Sequence, residues 1–241
     1  MAGQSPSVGL LKRLQAVDTP SVCNAIEVAQ GRRGFTGYTR GTMLSSEPAA
    51  PAVVGLARTA RIASREPSSE PIETVRARRM DYFRHIAHEQ GSASRVPSVA
   101  VVEDVDFPDG TGAWWGEVHV AVHKGLGLAG ALTNGAMRDL GDLDEGFPVI
   151  AGSIGPSHAF VHVTEIGTPV EVFGLTVGTG DLVHADRHGA VVVPPEVFAT
   201  LAAALDTLAA SEALVLEPAR RPGFDIAALE KAWALFERAR T

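Results

Sequence analysis

Between residues 131 and 193 the chain offers only short apolar runs, at 131–133, 149–151, 159–164, 170–173, 182–184 and 190–193, each cut off by glycine or proline. Runs of this length between turn formers read as strands, not helices. That middle section commits the chain to sheets, and the flanks must supply the helices that cover them. Leu10, Leu11 and Leu14 predict a short first helix. Thr19-Pro20 reads as a cap followed by proline at the first helical position, opening a helix through Ile26. Residues 53–62 and 99–105 read as strands, and residues 31–51, 67–71 and 106–115 as loops. Ile72, Val75, Met80, Phe83 and Ile86 recur at near-helical spacing and predict an amphipathic helix over 72–89. Pro194-Pro195 opens an Ala/Leu-rich helix to about residue 214, residues 218–224 read as a linker, and a last helix covers 226–238. The expected architecture is one α/β domain over residues 1–241 with mixed sheets, not a regular βαβ series.

Residues 117–124 fit two patterns. Val118, Val120 and Val122 alternate like a strand, while Val118, Ala121, Val122 and Leu126 would line one helical face. A helix ending at Gly125 and Gly127 is the preferred reading. Gly125-Leu126-Gly127-Leu128-Ala129-Gly130 then has the order helix, glycines, strand, the reverse of a dinucleotide fingerprint. His119 and His123 have the spacing of a zinc pair on a helix, but no Glu follows His119 and nothing fixes a third ligand among His158, His162, His184 and His188. Solvated or hydrogen-bonded structural histidines are the expected outcome. Asp142, Asp144 and Glu145 read as a solvated loop.

A formal charge of -7 carries no footprint for nucleic acid or an anionic membrane. The one cysteine, Cys23, fits a reducing compartment and reads as a small buried residue on a helix. No signal-peptide pattern opens the chain and no apolar run is long enough to span a bilayer, so a cytoplasmic location is expected.

The chemistry-bearing pattern is Gly116-Glu117, twenty intervening residues, then Arg138-Asp139. Carboxylate oxygens hold hard divalent cations. A guanidinium forks onto a substrate carboxylate or enolate oxygen. Together they suit the stabilisation of an enolate formed from a 2-oxo acid. The plainer alternative is a surface ion pair, which is common and contributes little.

This block resembles the RraA-like superfamily, which includes the 4-hydroxy-4-methyl-2-oxoglutarate/4-carboxy-4-hydroxy-2-oxoadipate aldolases. Three further stretches are similar: residues 19–25 (TPSVCNA), 54–60 (VGLARTA) and 180–194 (GDLVHADRHGAVVVP). The resemblance covers about residues 18–215, leaving a C-terminal helical extension over 222–241. It implies a three-layer swivelling β/β/α fold, a homotrimer or hexamer, and Mg2+ or Mn2+ in the catalytic members. By resemblance Asp139 is the metal ligand, Arg138 lies on the oxo and enolate oxygens, and Glu117 holds a catalytic water. The backbone around Gly116, Glu117, Val118 and His119 would bind the substrate carboxylate. A Glu from a neighbouring subunit would complete the metal site, with Glu212 the best-placed candidate and Glu217 second. The family's aldolases carry Asp where this chain has Glu117. The implied activity is a metal-dependent pyruvate lyase acting on a small 2-oxo acid, with oxaloacetate decarboxylation as a related reaction. The superfamily also holds non-catalytic ribonuclease regulators, which is the alternative expectation.

Overall fold

A computed structural model describes residues 5–87 and 96–240. The chain opens with α1 (Val8–Gln15) and α2 (Thr19–Gln30). β1 (Leu44–Ser45) and β2 (Val53–Ala63) lead to α3 (Ile72–Ile86). β3 (Ser98–Asp104) and β4 (Ala113–Trp115) precede α4 (Glu117–Gly125). Strands follow: β5 (Leu128–Thr133), β6 (Ala136–Met137), β7 (Val149–Ala151), β8 (Ser153–Ile154), β9 (His162–Ile166), β10 (Val170–Val172), β11 (Leu175–Val177), β12 (Leu182–Asp186) and β13 (Gly189–Val193). After a 3-10 turn at Pro195–Val197 come α5 (Leu201–Ala219) and α6 (Ile226–Arg240).

The main sheet has the order β1-β7-β5-β3-β2-β12-β13, parallel from β7 through β2 and antiparallel outside that block. β2 is long enough to pair twice on one edge, with β12 over Val53–Leu56 and with β9 over Ala60–Ala63. Alternation along the strands then sorts the core. Val53, Ala57, Val99, Val101, Leu132 and Ile150 point to one face, where the β10–β11 hairpin covers them. On the other face Val54, Leu182, Val191 and Val193 meet α1, α2 and α5. Further along that face Ala60, Ile62, Ala100, Val102, Ala131 and Val149 meet α3, α4 and the tryptophans of β4. Hairpin, sheet and helices are the expected three layers.

The helical layer is pinned to the sheet by buried polar contacts. The Thr19 backbone N–H donates to Asp186 at 2.9 Å, and its hydroxyl lies 3.0 Å from His184 Nδ1. His184 Nε2 donates to the Leu14 carbonyl at 3.0 Å, so Nδ1 accepts from Thr19. Two of the stretches that carry the family resemblance, 19–25 and 180–194, therefore meet across this layer.

Several expectations need correction. Asp18, not Thr19, caps α2, accepting from Ser21 N–H at 3.0 Å, because the Thr19 hydroxyl is committed to His184. α2 also runs on to Gln30. On α3 the buried residues are Tyr82 and Ile86, while Ile72 and Met80 lie in solvent, since the packing face is set by β9 and β2 and not by the densest hydropathy. Residues 88 and 89, assigned to this helix, lie outside the described residues. Residues 113–115 form a strand instead of a loop, paired in parallel with β6. Residues 159–161 precede β9 and are not part of it. Pro218 belongs to the end of α5. Cys23 is half-buried, and its thiol is pushed up to about 11 by burial and by Glu27 and Asp186. Among the described residues no helix is long and apolar enough to cross a membrane.

Gly130 shows how closely β5 is packed: a Cβ there would stand 2.8 Å from both the Pro148 carbonyl oxygen and a Val53 methyl. Gly130→Ala should therefore lose about 1–3 kcal/mol through overpacking. Urea denaturation checks this, with a lower midpoint and an unchanged slope expected.

Candidate functional site

The Gly116–Glu117 and Arg138–Asp139 dipeptides lie together at the start of α4. A small parallel sheet, β4-β6-β8, delivers both. The Arg138 N–H donates to the Trp115 carbonyl at 2.7 Å. Asp139 then adopts φ 58, a left-handed turn that aspartate tolerates better than most residues. The turn returns its carboxylate to the helix, where Oδ2 accepts the Glu117 N–H at 3.1 Å. Gly116 makes the close approach possible: a Cβ there would sit 2.5 Å from Asp139 Oδ2 and 2.9 Å from Arg138 Nε.

Arg138 and Asp139 are not a simple surface pair. Their side chains are each 31% exposed and meet only at 3.5 Å, between Nη1 and Oδ1. Arg138 Nε is buried with no hydrogen-bond partner. Among the described residues, no acceptor engages the N–H groups of Val118 and His119 either. These are open donors at a helix start, where the macrodipole favours an anion. The Glu117 side chain itself is exposed.

Beside the cradle is a cavity of about 260 Å3 lined by Arg79, Trp114, Gly116, His119, Arg138 and His158, among others. Arg79, Trp114 and His158 were not singled out from sequence for this role. Arg79 was legible in principle, since it stands at helical spacing from Tyr82, Phe83 and Ile86.

α4 is a helix, as expected, but with its faces exchanged. Val118 and Val122 are outside, while Val120 and His123 are buried. His123 donates from Nδ1 to the His119 carbonyl, leaving Nε2 to accept from the Tyr82 hydroxyl at 2.7 Å. Both nitrogens are committed, so the His119/His123 spacing is not a zinc pair. His119 stacks edge-on to Trp114 at 4.0 Å. Asp142, Asp144 and Glu145 are exposed, with Lys124 3.6 Å from Asp144.

Among the described residues no group of three or more His, Cys, Asp or Glu is placed to hold a metal ion. At the cradle the donor is a single carboxylate, Asp139. That donor set fits a hard, water-rich cation of the Mg2+ type and not a protein-built cage. Glu212 is on α5, which packs on α1, α2 and α6.

Burial dominates the titration of the imidazoles. It lowers His119 to about 4, helped by Arg79 and Arg138, and His123 to about 3; His184 is lowered by the same cause. Their folded values lie below the ordinary 6.5, so the unfolded chain binds more protons and acid favours unfolding. Stability should be intact above about pH 6.5 and fall as pH drops towards 4 and then 3, by about 1.4 kcal/mol per unit for each histidine in its window. Urea melts at a series of pH values test this; a flat profile between neutrality and pH 4.5 would contradict buried neutral histidines.

The comparisons concern the fold and the family. The model of the RraA-like family, described as Aldolase/RraA, matches residues 19–192. An uncharacterized protein from Pseudomonas syringae pv. tomato superposes with a TM-score of 0.67 at 21% identity, covering 97% of each chain. A structure described under novel cellulases from microbes associated with the gut ecosystem gives 0.68 at 21% identity, covering 88% of this chain and 90% of that one. Streptomyces coelicolor RraAS2, described as an unusual member of the RNase ES inhibitor RraA protein family, gives 0.62 at 24% identity, covering 90% of this chain and 99% of its own. No curated protein matches the chain significantly. A family model spanning residues 19–192 includes the β4–α4 and β6 segments of the cradle, and on that match the chain belongs to the RraA-like family.

Proposed function

We propose that the protein is a divalent-metal-dependent lyase that cleaves a C–C bond of a small 4-hydroxy-2-oxo acid and releases pyruvate. The observation that carries this reading is the unpartnered, buried Arg138 Nε beside the open amides of α4, next to a carboxylate held by the Glu117 N–H. Such preorganised donors suit charge that develops during reaction. The substrate carboxylate is bound by the Val118 and His119 N–H groups at the helix start. Arg138 is directed at the oxo oxygen and stabilises it as an enolate once the bond breaks. A water or hydroxide acting as base takes the 4-hydroxyl proton, that carbon becomes a carbonyl, and the electron pair of the breaking C–C bond passes into the enolate. A water held by Glu117 then supplies the proton that completes pyruvate. Mg2+ or Mn2+ at Asp139, completed by Glu212 of the partner subunit, supplies Lewis-acid polarisation of the oxo group when bound. Oxaloacetate decarboxylation passes through the same enolate.

Pyruvate release from oxaloacetate, with Mg2+ or Mn2+ and then with chelator, tests the reading. A metal-dependent signal is expected. Silence with both oxaloacetate and 4-hydroxy-2-oxo acids would move the chain to the family's non-catalytic regulators. Arg138→Lys keeps the charge and loses the fork, and should lower turnover on the order of 100-fold or more. Gly116→Ala should be comparably damaging with little loss of stability, since its Cβ displaces Asp139 and Arg138.

A metal site shared between subunits requires an oligomer, and the family resemblance makes that a trimer or hexamer. Light scattering at micromolar concentration should give a multiple of three subunits, and a monomeric mass would remove Glu212 from the site.

A further inference from the structure

The cavity beside the cradle is electropositive on two sides. Its lining holds Arg79, Arg138, His119 and His158 and no carboxylate. Arg138 belongs to the cradle. Arg79 comes from a different element, and its circumstances set it apart from its neighbours. α3 carries four arginines, at 76, 78, 79 and 84. Arg76 pairs with Glu73 at 3.4 Å, Arg78 with Glu70, and Arg84 with Asp81 at 2.6 Å. Arg79 forms no such pair among the described residues, and it is the one that lines the cavity.

Its direction follows from helix geometry. Arg79 shares a face with Tyr82, Phe83 and Ile86, three, four and seven residues on. Tyr82 and Phe83 are the side chains through which α3 meets α4: the Tyr82 hydroxyl bonds His123, and Phe83 stands edge-on to His119 at 6.0 Å. One turn earlier on the same face, Arg79 reaches the first turn of α4, beside Gly116 and His119. Burial, and then the Arg79 and Arg138 guanidinium groups, hold the His119 imidazole below its ordinary range.

We propose that Arg79 is the specificity-determining residue of this site, holding a second anionic group at the end of the substrate remote from its 2-oxo carboxylate. The inference rests on the reading that the cradle binds a 2-oxo acid, and it narrows that class to dianions small enough for about 260 Å3. A guanidinium fork suits a carboxylate or a phosphoryl-type group equally. With a mono-anionic substrate Arg79 would have no partner and would contribute nothing to selection.

Calorimetric titration in Mg2+ buffer provides the test, using pyruvate, 2-oxoglutarate and 3-phosphonopyruvate with wild type, Arg79→Gln and Arg138→Lys. At least one dianion should bind wild type about tenfold more tightly than pyruvate, as a charge-assisted hydrogen bond would give. Whichever dianion is preferred identifies the second group. Arg79→Gln should collapse the dianion-to-pyruvate ratio to near one, while Arg138→Lys should weaken all three ligands together. Thermal melting of Arg79→Gln, an exposed position, should match wild type. A ratio that survives in Arg79→Gln, or equal affinities in wild type, overturns the Arg79 assignment alone. Failure of wild type to bind any of the three overturns the 2-oxo acid reading with it.

Discussion

The hydrogen bond from the Glu117 backbone N–H to the Asp139 carboxylate is the contact on which the candidate site turns. It joins the start of a helix to a turn that follows a two-residue strand more than twenty residues later. Its geometry requires Asp139 to accept a left-handed backbone, and non-glycine residues seldom do so without a local reason. The Arg138 N–H on the Trp115 carbonyl is the second clasp. Between the two, the backbone of the Arg-Asp dipeptide has little freedom, and the Arg138 side chain leaves it from a fixed point.

Behind the cradle stands a buried layer of aromatic and imidazole rings. Tyr82, Trp114, Trp115, Phe147 and His123 are almost entirely excluded from solvent. His123 is admissible there because both nitrogens are satisfied, one by a carbonyl and one by a phenol. The Tyr82 bond and the Phe83–His119 ring contact also tie α3 to α4, linking the long helix that carries Arg79 to the short helix that opens at Gly116. Side chains at the site are thereby positioned by contacts well away from it.

The fold was largely legible from periodicity. Short Gly/Pro-bounded runs became strands, and α1, α2, α5 and α6 were recognisable from spacing and proline punctuation. What escaped was anything decided by tertiary pairing. β4, β6 and β8 are two or three residues long and exist as strands only because they pair with one another. The inward faces of α3 and α4 escaped too, because they are chosen by the strands each helix packs on, β9 and β2 for α3 and β5 and β4 for α4, which hydropathy does not encode. Hence valines expected inside α4 lie outside and a histidine lies inside. For the site, the sequence pair Gly116-Glu117 and Arg138-Asp139 was visible and is brought together, whereas Arg79 was hidden among arginines that differ only in their partners.

Position 117 has two separable jobs. Its amide proton is spent on Asp139, while its side chain extends into solvent. The first helical position is ordinarily a favoured home for proline, which lacks that proton. Here proline would unseat Asp139, yet nearly any other residue could be exchanged without disturbing the turn. The scaffold thus tolerates drift in the one side chain poised above the helix start. A single codon change at 117 alters what the helix start presents to solvent, with no repacking needed to accommodate it.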